Sequence, residues 1–151
     1  NCMQLVDYLH ESYILPDLKS RNKTDVLREL LTPLRDYEED FPYENAHKIL
    51  MERESLGSTG IGDGVAIPHG KMEELDDIKL LVGRSFDGVD FAAIDSKPCY
   101  IFFLVLAPEH VAGLHLRILA QISRVVKDSQ FRQTFMEVEG AKGIWDLLNS
   151  V

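Results

Sequence analysis

One continuous apolar run, Cys99-Tyr100-Ile101-Phe102-Phe103-Leu104-Val105-Leu106-Ala107, constrains this chain more than any other feature. A strand with one wet face alternates apolar and polar residues. A strand without alternation is covered on both faces and sits in the interior of a sheet. The run predicts a central strand over residues 98–106. From Tyr100 to Ala107 it is eight residues long, far short of the roughly 20 apolar residues that a membrane-crossing helix needs. A chain with such a strand must supply helices for both of its faces.

The rest of the sequence supplies them. Val26, Leu27, Leu30, Leu31 and Leu34 recur at three- and four-residue intervals, with Ser20, Asn22 and Thr24 upstream as caps. This spacing predicts an amphipathic helix over 23–34, ending near Pro33. A second helix is expected from Pro42 to about residue 55, with Ala46, Ile49 and Leu50 on one stripe. Further helical spacing covers 114–126, 129–137 and a short closing segment, 143–148. Two more strands are expected at 64–67 and 78–86, the latter closed by a turn at Asp87-Gly88. No repeat, low-complexity tract or Gly/Ser linker marks a boundary. The expectation is a single α/β domain over 1–151, a mixed sheet with helices on both faces, because some connections are hairpin-short and others are crossovers. The chain begins at Asn1, which is compatible with a domain excised from a longer polypeptide.

Charge narrows the function. Twenty-five acidic residues against sixteen basic ones leave a net charge of −9. That argues against nucleic acid, because binding a phosphate backbone needs clustered Lys and Arg. Cys2 and Cys99 fit no metal or redox spacing and suggest a reducing cytoplasm. The acidic stretches 36–40 and 73–77 read as solvated loops.

Chemistry concentrates in Gly57-Ser58-Thr59-Gly60-Ile61-Gly62-Asp63-Gly64-Val65-Ala66-Ile67-Pro68-His69-Gly70. A dinucleotide fingerprint requires a strand before its glycines and a helix after them; here the order is reversed, and no Lys-Ser/Thr pair closes a P-loop. Four glycines in eight residues let the backbone approach a ligand and present N–H groups to an anion. His69 ends the expected strand between Pro68 and Gly70, a restrained and accessible imidazole, or simply a strand-end residue bonded to a carbonyl.

His115 falls in the first turn of the 114–126 helix, on the stripe of Ile118, Leu119, Ile122 and Val126. It should face inward at the helix's positive end and emerge at the carboxyl edge of the sheet, either facing a ligand or as a satisfied core histidine. Arg53 continues the apolar stripe of its helix, so it needs an inward anion: a ligand, or an ion pair with Glu54 or Asp63. No pair among His10, His47, His69, His110 and His115 has the three- or four-residue spacing of helical metal ligands, so no metal is expected. His10 and His47 read as solvated or partly packed bystanders. No Gly-x-Ser-x-Gly elbow supports a serine hydrolase.

From Arg53-Glu54 through Ser58-Thr59-Gly60-Ile61-Gly62 to Val65-Ala66-Ile67-Pro68-His69-Gly70, and again at Gly113 to Leu116, the sequence resembles a known family. It is similar to the EIIA domain of the mannitol/fructose class (type 2) of the phosphoenolpyruvate-dependent sugar phosphotransferase system, including its nitrogen-regulatory branch. The resemblance extends over nearly the whole chain and implies the mannitol-type EIIA fold. It implies that His69 accepts a phosphoryl group as tele-phosphohistidine and that His115 stabilises the phosphate. Arg53, Thr59, Gly60 and Gly62 are then expected to contribute to phosphate binding, with no metal or cofactor. The donor implied is HPr or a paralogue of it. The acceptor is a cysteine of an EIIB domain, or phosphorylation selects a regulated protein. A second reading is an EIIA-like binding module that passes no phosphate onward and docks to a transporter, kinase or transcription factor; a third, of an unrelated class, is a small-molecule anion-binding protein using the same glycine loop. The first two require transient docking around His69, for which Ile61, Val111 and Leu114 are candidate apolar contacts.

Overall fold

The computed structural model describes residues 4–151; Cys2 lies outside them. Among the described residues there are six strands: β1 (Ile14–Leu15), β2 (Gly60–Gly62), β3 (Val65–Ala66), β4 (His69–Lys71), β5 (Lys79–Val89) and β6 (Cys99–Ala107). Five α-helices accompany them: α1 (Lys23–Tyr37), α2 (Tyr43–Ser55), α3 (Ala112–Val126), α4 (Ser129–Glu137) and α5 (Gly140–Asn149). The sheet order is β1-β5-β6-β3-β2, with β4 also paired to β6. It is mixed: β5 runs antiparallel to β6, and β3 and β4 run parallel to it. This is the α/β architecture expected from the sequence.

The apolar run is the sheet's centre. Every residue of β6 except Tyr100 is buried, and successive side chains serve opposite layers. Phe103 packs against Phe135 of α4, ring centroids 6.1 Å apart. Phe102 is level with Gly83 of β5, where an added Cβ would come within 2.6 Å of Leu30 in α1. Helices therefore cover both faces. One continuous core runs from Leu5 to Leu148.

Several elements depart from the sequence reading. α1 does not stop near Pro33 but runs through it to Tyr37. Proline removes the N–H that would bond the Glu29 carbonyl, and the Thr32 hydroxyl donates to that carbonyl instead at 2.7 Å. Asp87-Gly88 does not close its strand: β5 continues to Val89, the register slipping between Arg84 and Val89 where Gly88 takes a φ of +90°. α5 begins at Gly140 rather than residue 143, and α3 at Ala112 rather than residue 114. β1, β2 and β4, two or three residues each, are strands where none was expected.

His47 is buried, bonding the Thr24 carbonyl through Nε2 at 3.0 Å, and His10 stacks edge-on against Tyr13. The acidic stretch 36–40 is only partly solvated, since Glu38 accepts from both Tyr13 and Lys79. Among the described residues no helix is long and apolar enough to cross a membrane.

Phe103 is fully buried in the layer between β6 and α4. Phe103→Ala is expected to lower the unfolding free energy by about 3–5 kcal/mol in a denaturant titration. A loss below ~1 kcal/mol would contradict the central role given to β6.

Candidate functional site

β4 begins at His69, so His69 opens a strand rather than ending one. Its register with β6 is His69 to Val105, Gly70 to Leu106 and Lys71 to Ala107, which sets His69 near the carboxyl end of the central strand. Gly70 is required there: a Cβ would lie 2.8 Å from Ile49 Cγ2, so its absence lets α2 settle onto the strand. Arg53 follows one turn after Ile49 and is carried over the same edge. From the other side, the chain leaves β6, turns through Glu109–Val111 and enters α3. The first turn of α3 sets the His115 ring 6.0 Å from that of His69, the planes crossing at 72°.

Between α2 and α3 these residues line an open cleft of about 490 Å³, with Ile49, Arg53, Leu56, Lys71 and both histidines on its wall and Glu52 as the acid among its described lining residues. His69 Nδ1 is 2.8 Å from the Ile67 carbonyl. A carbonyl only accepts, so Nδ1 carries the proton and the lone pair lies on Nε2. His115 is 4% exposed, and its Nε2 is buried without a hydrogen-bond partner. Burial pushes its pKa below the ordinary 6.5, and the nearby charges of His69 and Lys71 act the same way. A neutral imidazole with one unpartnered ring nitrogen beside an open cleft is an unfilled bond to an incoming group.

Arg53 donates from Nη1 to the Gly57 carbonyl at 2.9 Å. Neither expected acid pairs with it. Glu54 is committed elsewhere: it takes Lys23 Nζ at 2.8 Å and the Thr59 N–H at 3.1 Å on Oε1, and the Thr59 hydroxyl on Oε2. Asp63 sits in the β2–β3 turn at the far end of the hairpin. Among the described residues Arg53 and Lys71 are in no ion pair.

The structure brings His69, His115 and Arg53 together and leaves Thr59, Gly60 and Gly62 off the cleft wall. Gly60 packs its backbone against Ala93. Gly62 pairs with Val65, itself level with Ile101, four residues or roughly 13 Å along the strand direction from Val105. Of the proposed docking contacts, Ile61 is exposed on β2, whereas Val111 and Leu114 are half-buried against the core. Leu56, 84% exposed, lines the cleft and was not foreseen. Lys71 was also missed, although strand periodicity puts it on the same face as His69, two residues earlier.

Two imidazoles at a sheet edge, one with an open lone pair, lie beside two cations that are in no ion pair among the described residues, an arrangement suited to an anionic group. Among the described residues no cluster of three or more His, Cys, Asp or Glu side chains is arranged to hold a metal ion. The chain belongs to the family described as the phosphoenolpyruvate-dependent sugar phosphotransferase system, EIIA 2, which matches residues 7–151. It is thus a phosphoryl-transfer or regulatory component of the EIIA kind. It is 36% identical over 149 residues to a nitrogen regulatory protein of Bradyrhizobium diazoefficiens, covering 97% of this chain and 95% of that protein. It is 32% identical over 148 residues to the fructose-specific EIIABC component of Bacillus subtilis, covering 97% of this chain and 23% of that longer protein. The crystal structure of nitrogen regulatory protein IIA-Ntr from Neisseria meningitidis superposes with a TM-score of 0.88 at 30% identity, over 95% of this chain and 98% of that one.

Two outcomes test this geometry. In a histidine-resolved NMR titration, His115 should gain its second proton below the ordinary 6.5, and His69→Ala should raise that midpoint only part of the way, because burial is the larger cause. A midpoint at or above 6.5 in the unaltered protein contradicts the buried site. Thr59→Val removes a hydroxyl donor from a buried carboxylate and should cost about 1–3 kcal/mol in a thermal or denaturant melt, while leaving the cleft lining in place.

Proposed function

We propose that His69 accepts a phosphoryl group on Nε2 from the phosphohistidine of HPr or an HPr paralogue in the cytoplasm, and passes it to a cysteine of an EIIB domain. The observation that carries this reading is the hydrogen bond from His69 Nδ1 to the Ile67 carbonyl, which leaves Nε2 as the nucleophile. As the new N–P bond forms, the donor's N–P bond breaks in line, and no base is needed because the attacking nitrogen already bears its lone pair. Positive charge gained by the ring is offset at Nδ1–H by the Ile67 carbonyl dipole. Charge on the equatorial phosphoryl oxygens is met by the Arg53 and Lys71 cations and by His115, whose unpartnered Nε2 donates in its protonated tautomer. Thr59, Gly60 and Gly62 act at one remove, through the loop whose Gly57 carbonyl holds Arg53. The continuous core supports one EIIA unit over residues 1–151.

A regulatory reading also has specific support. The similarity to a nitrogen regulatory protein extends over 95% of that relative. In this version phosphorylation of His69 selects a bound partner, and onward transfer is not the output.

Incubation with phosphoenolpyruvate, enzyme I and HPr, read by intact mass under mildly alkaline conditions, should give one acid-labile phosphoryl adduct that His69→Ala abolishes. His115→Ala should slow its formation on the order of 100-fold with the fold intact. Absence of an adduct with HPr and with its paralogues would remove the carrier role. Addition of EIIB domains separates the two readings: discharge supports transfer, and a stable adduct supports regulation.

A further inference from the structure

The cleft above His69 has room and chemistry for a donor far smaller than a protein. Its volume of about 490 Å³ falls in the range that encloses small organic ligands. Among the described residues Arg53 and Lys71 beside it are in no ion pair, and the buried His115 Nε2 has no partner. Arg53 and Lys71 offer donors to a phosphate oxygen before any partner protein arrives, and His115 adds a third in its Nε2-protonated tautomer. Ile49 and the exposed Leu56 supply an apolar wall next to these donors.

The same groups restrict which phosphate compounds can react. A leaving alkoxide, as from a sugar phosphate, must be protonated as the P–O bond breaks. The cleft has no acid matched to neutral pH: its one lysine, Lys71, carries an ammonium, a class of group that holds its proton well above neutrality. His115 is held neutral by burial, Glu52 is an exposed carboxylate, and Arg53 is too weak an acid to give up a proton. A leaving carboxylate needs no proton, because its conjugate acid is already ionised at neutral pH.

We propose that His69 also accepts a phosphoryl group directly from small acyl phosphates, the mixed anhydrides of carboxylic and phosphoric acids. The proposal rests on His69 being the phosphoryl acceptor and extends that site to a second class of donor. The Nε2 lone pair forms the N–P bond while the P–O bond to the acyl oxygen breaks, and the electron pair leaves on the carboxylate. No proton moves; Nδ1–H stays donated to the Ile67 carbonyl throughout. A phosphorylated state reached in this way would report the acyl phosphate pool without any other protein.

The test is incubation of the full chain with acetyl phosphate and no other protein, read by intact mass and peptide mapping. An acid-labile phosphoryl adduct on His69 is expected, absent in His69→Ala and absent when glucose 6-phosphate or inorganic phosphate replaces the donor. Lys71→Met should reduce the acetyl phosphate rate on the order of tenfold, since it removes a cation from the donor site. Failure with acetyl phosphate in protein that phospho-HPr does label overturns the proposal alone. Failure with both donors overturns the acceptor reading as well. Labelling by glucose 6-phosphate, or an equal adduct in His69→Ala, overturns the leaving-group argument.

Discussion

Everything in this fold is arranged around the need to cover β6. A nine-residue strand with almost no exposed surface must find neighbours on both edges and layers on both faces. β5 takes one edge along most of its length. The other edge is shared end to end by β3 and β4, and the gap between them is bridged by Ile67 and Pro68. That shared edge is what creates the site. Because β4 starts afresh near the carboxyl end of β6, its first residue, His69, stands at the rim of the sheet with its backbone fixed and its ring open to the cleft.

Two close approaches then complete the site. The missing side chain at Gly70 lets Ile49 and α2 come down onto β4, bringing Arg53 with them. The chain leaving β6 returns as α3 and delivers His115 from the opposite side. Beneath this, the buried Glu54 ties three segments together, accepting from Lys23 at the start of α1 and from Thr59 in the glycine loop while standing next to Arg53. A buried carboxylate is costly unless its oxygens are filled, and here they are filled by groups whose positions shape the loop.

How much of this was legible follows from the length of each signal. β6, α1 and α3 span two or more full periods of their pattern, and their existence and inward faces agree with the sequence, as does the buried His115 on its stripe; Arg53, expected inward, is only half-buried and bonds the Gly57 carbonyl. β1, β2 and β4 are two or three residues long and carry no period at all. The position of His69 depends on the β4–β6 register, a contact between residues 36 apart in sequence that no local pattern encodes. Pro33 misled because its cost is offset by the neighbouring Thr32 hydroxyl, a compensation visible only in three dimensions. Thr59 has the chemistry of a phosphate ligand, but its hydroxyl is already given to Glu54. Lys71 went unnoticed because a three-residue strand was not foreseen, and without it the alternation that faces Lys71 toward His69 has no meaning.

The central claim is that the Ile67 carbonyl sets the tautomer of His69 and so fixes the nitrogen that carries phosphate. Long-range 1H–15N NMR of the protein with 15N-labelled histidine, taken before and after phosphorylation, tests it most directly. The account predicts Nδ1 protonated in both states and phosphorus coupled to Nε2 alone. Phosphorus coupled to Nδ1, or a free protein with its proton on Nε2, would contradict it.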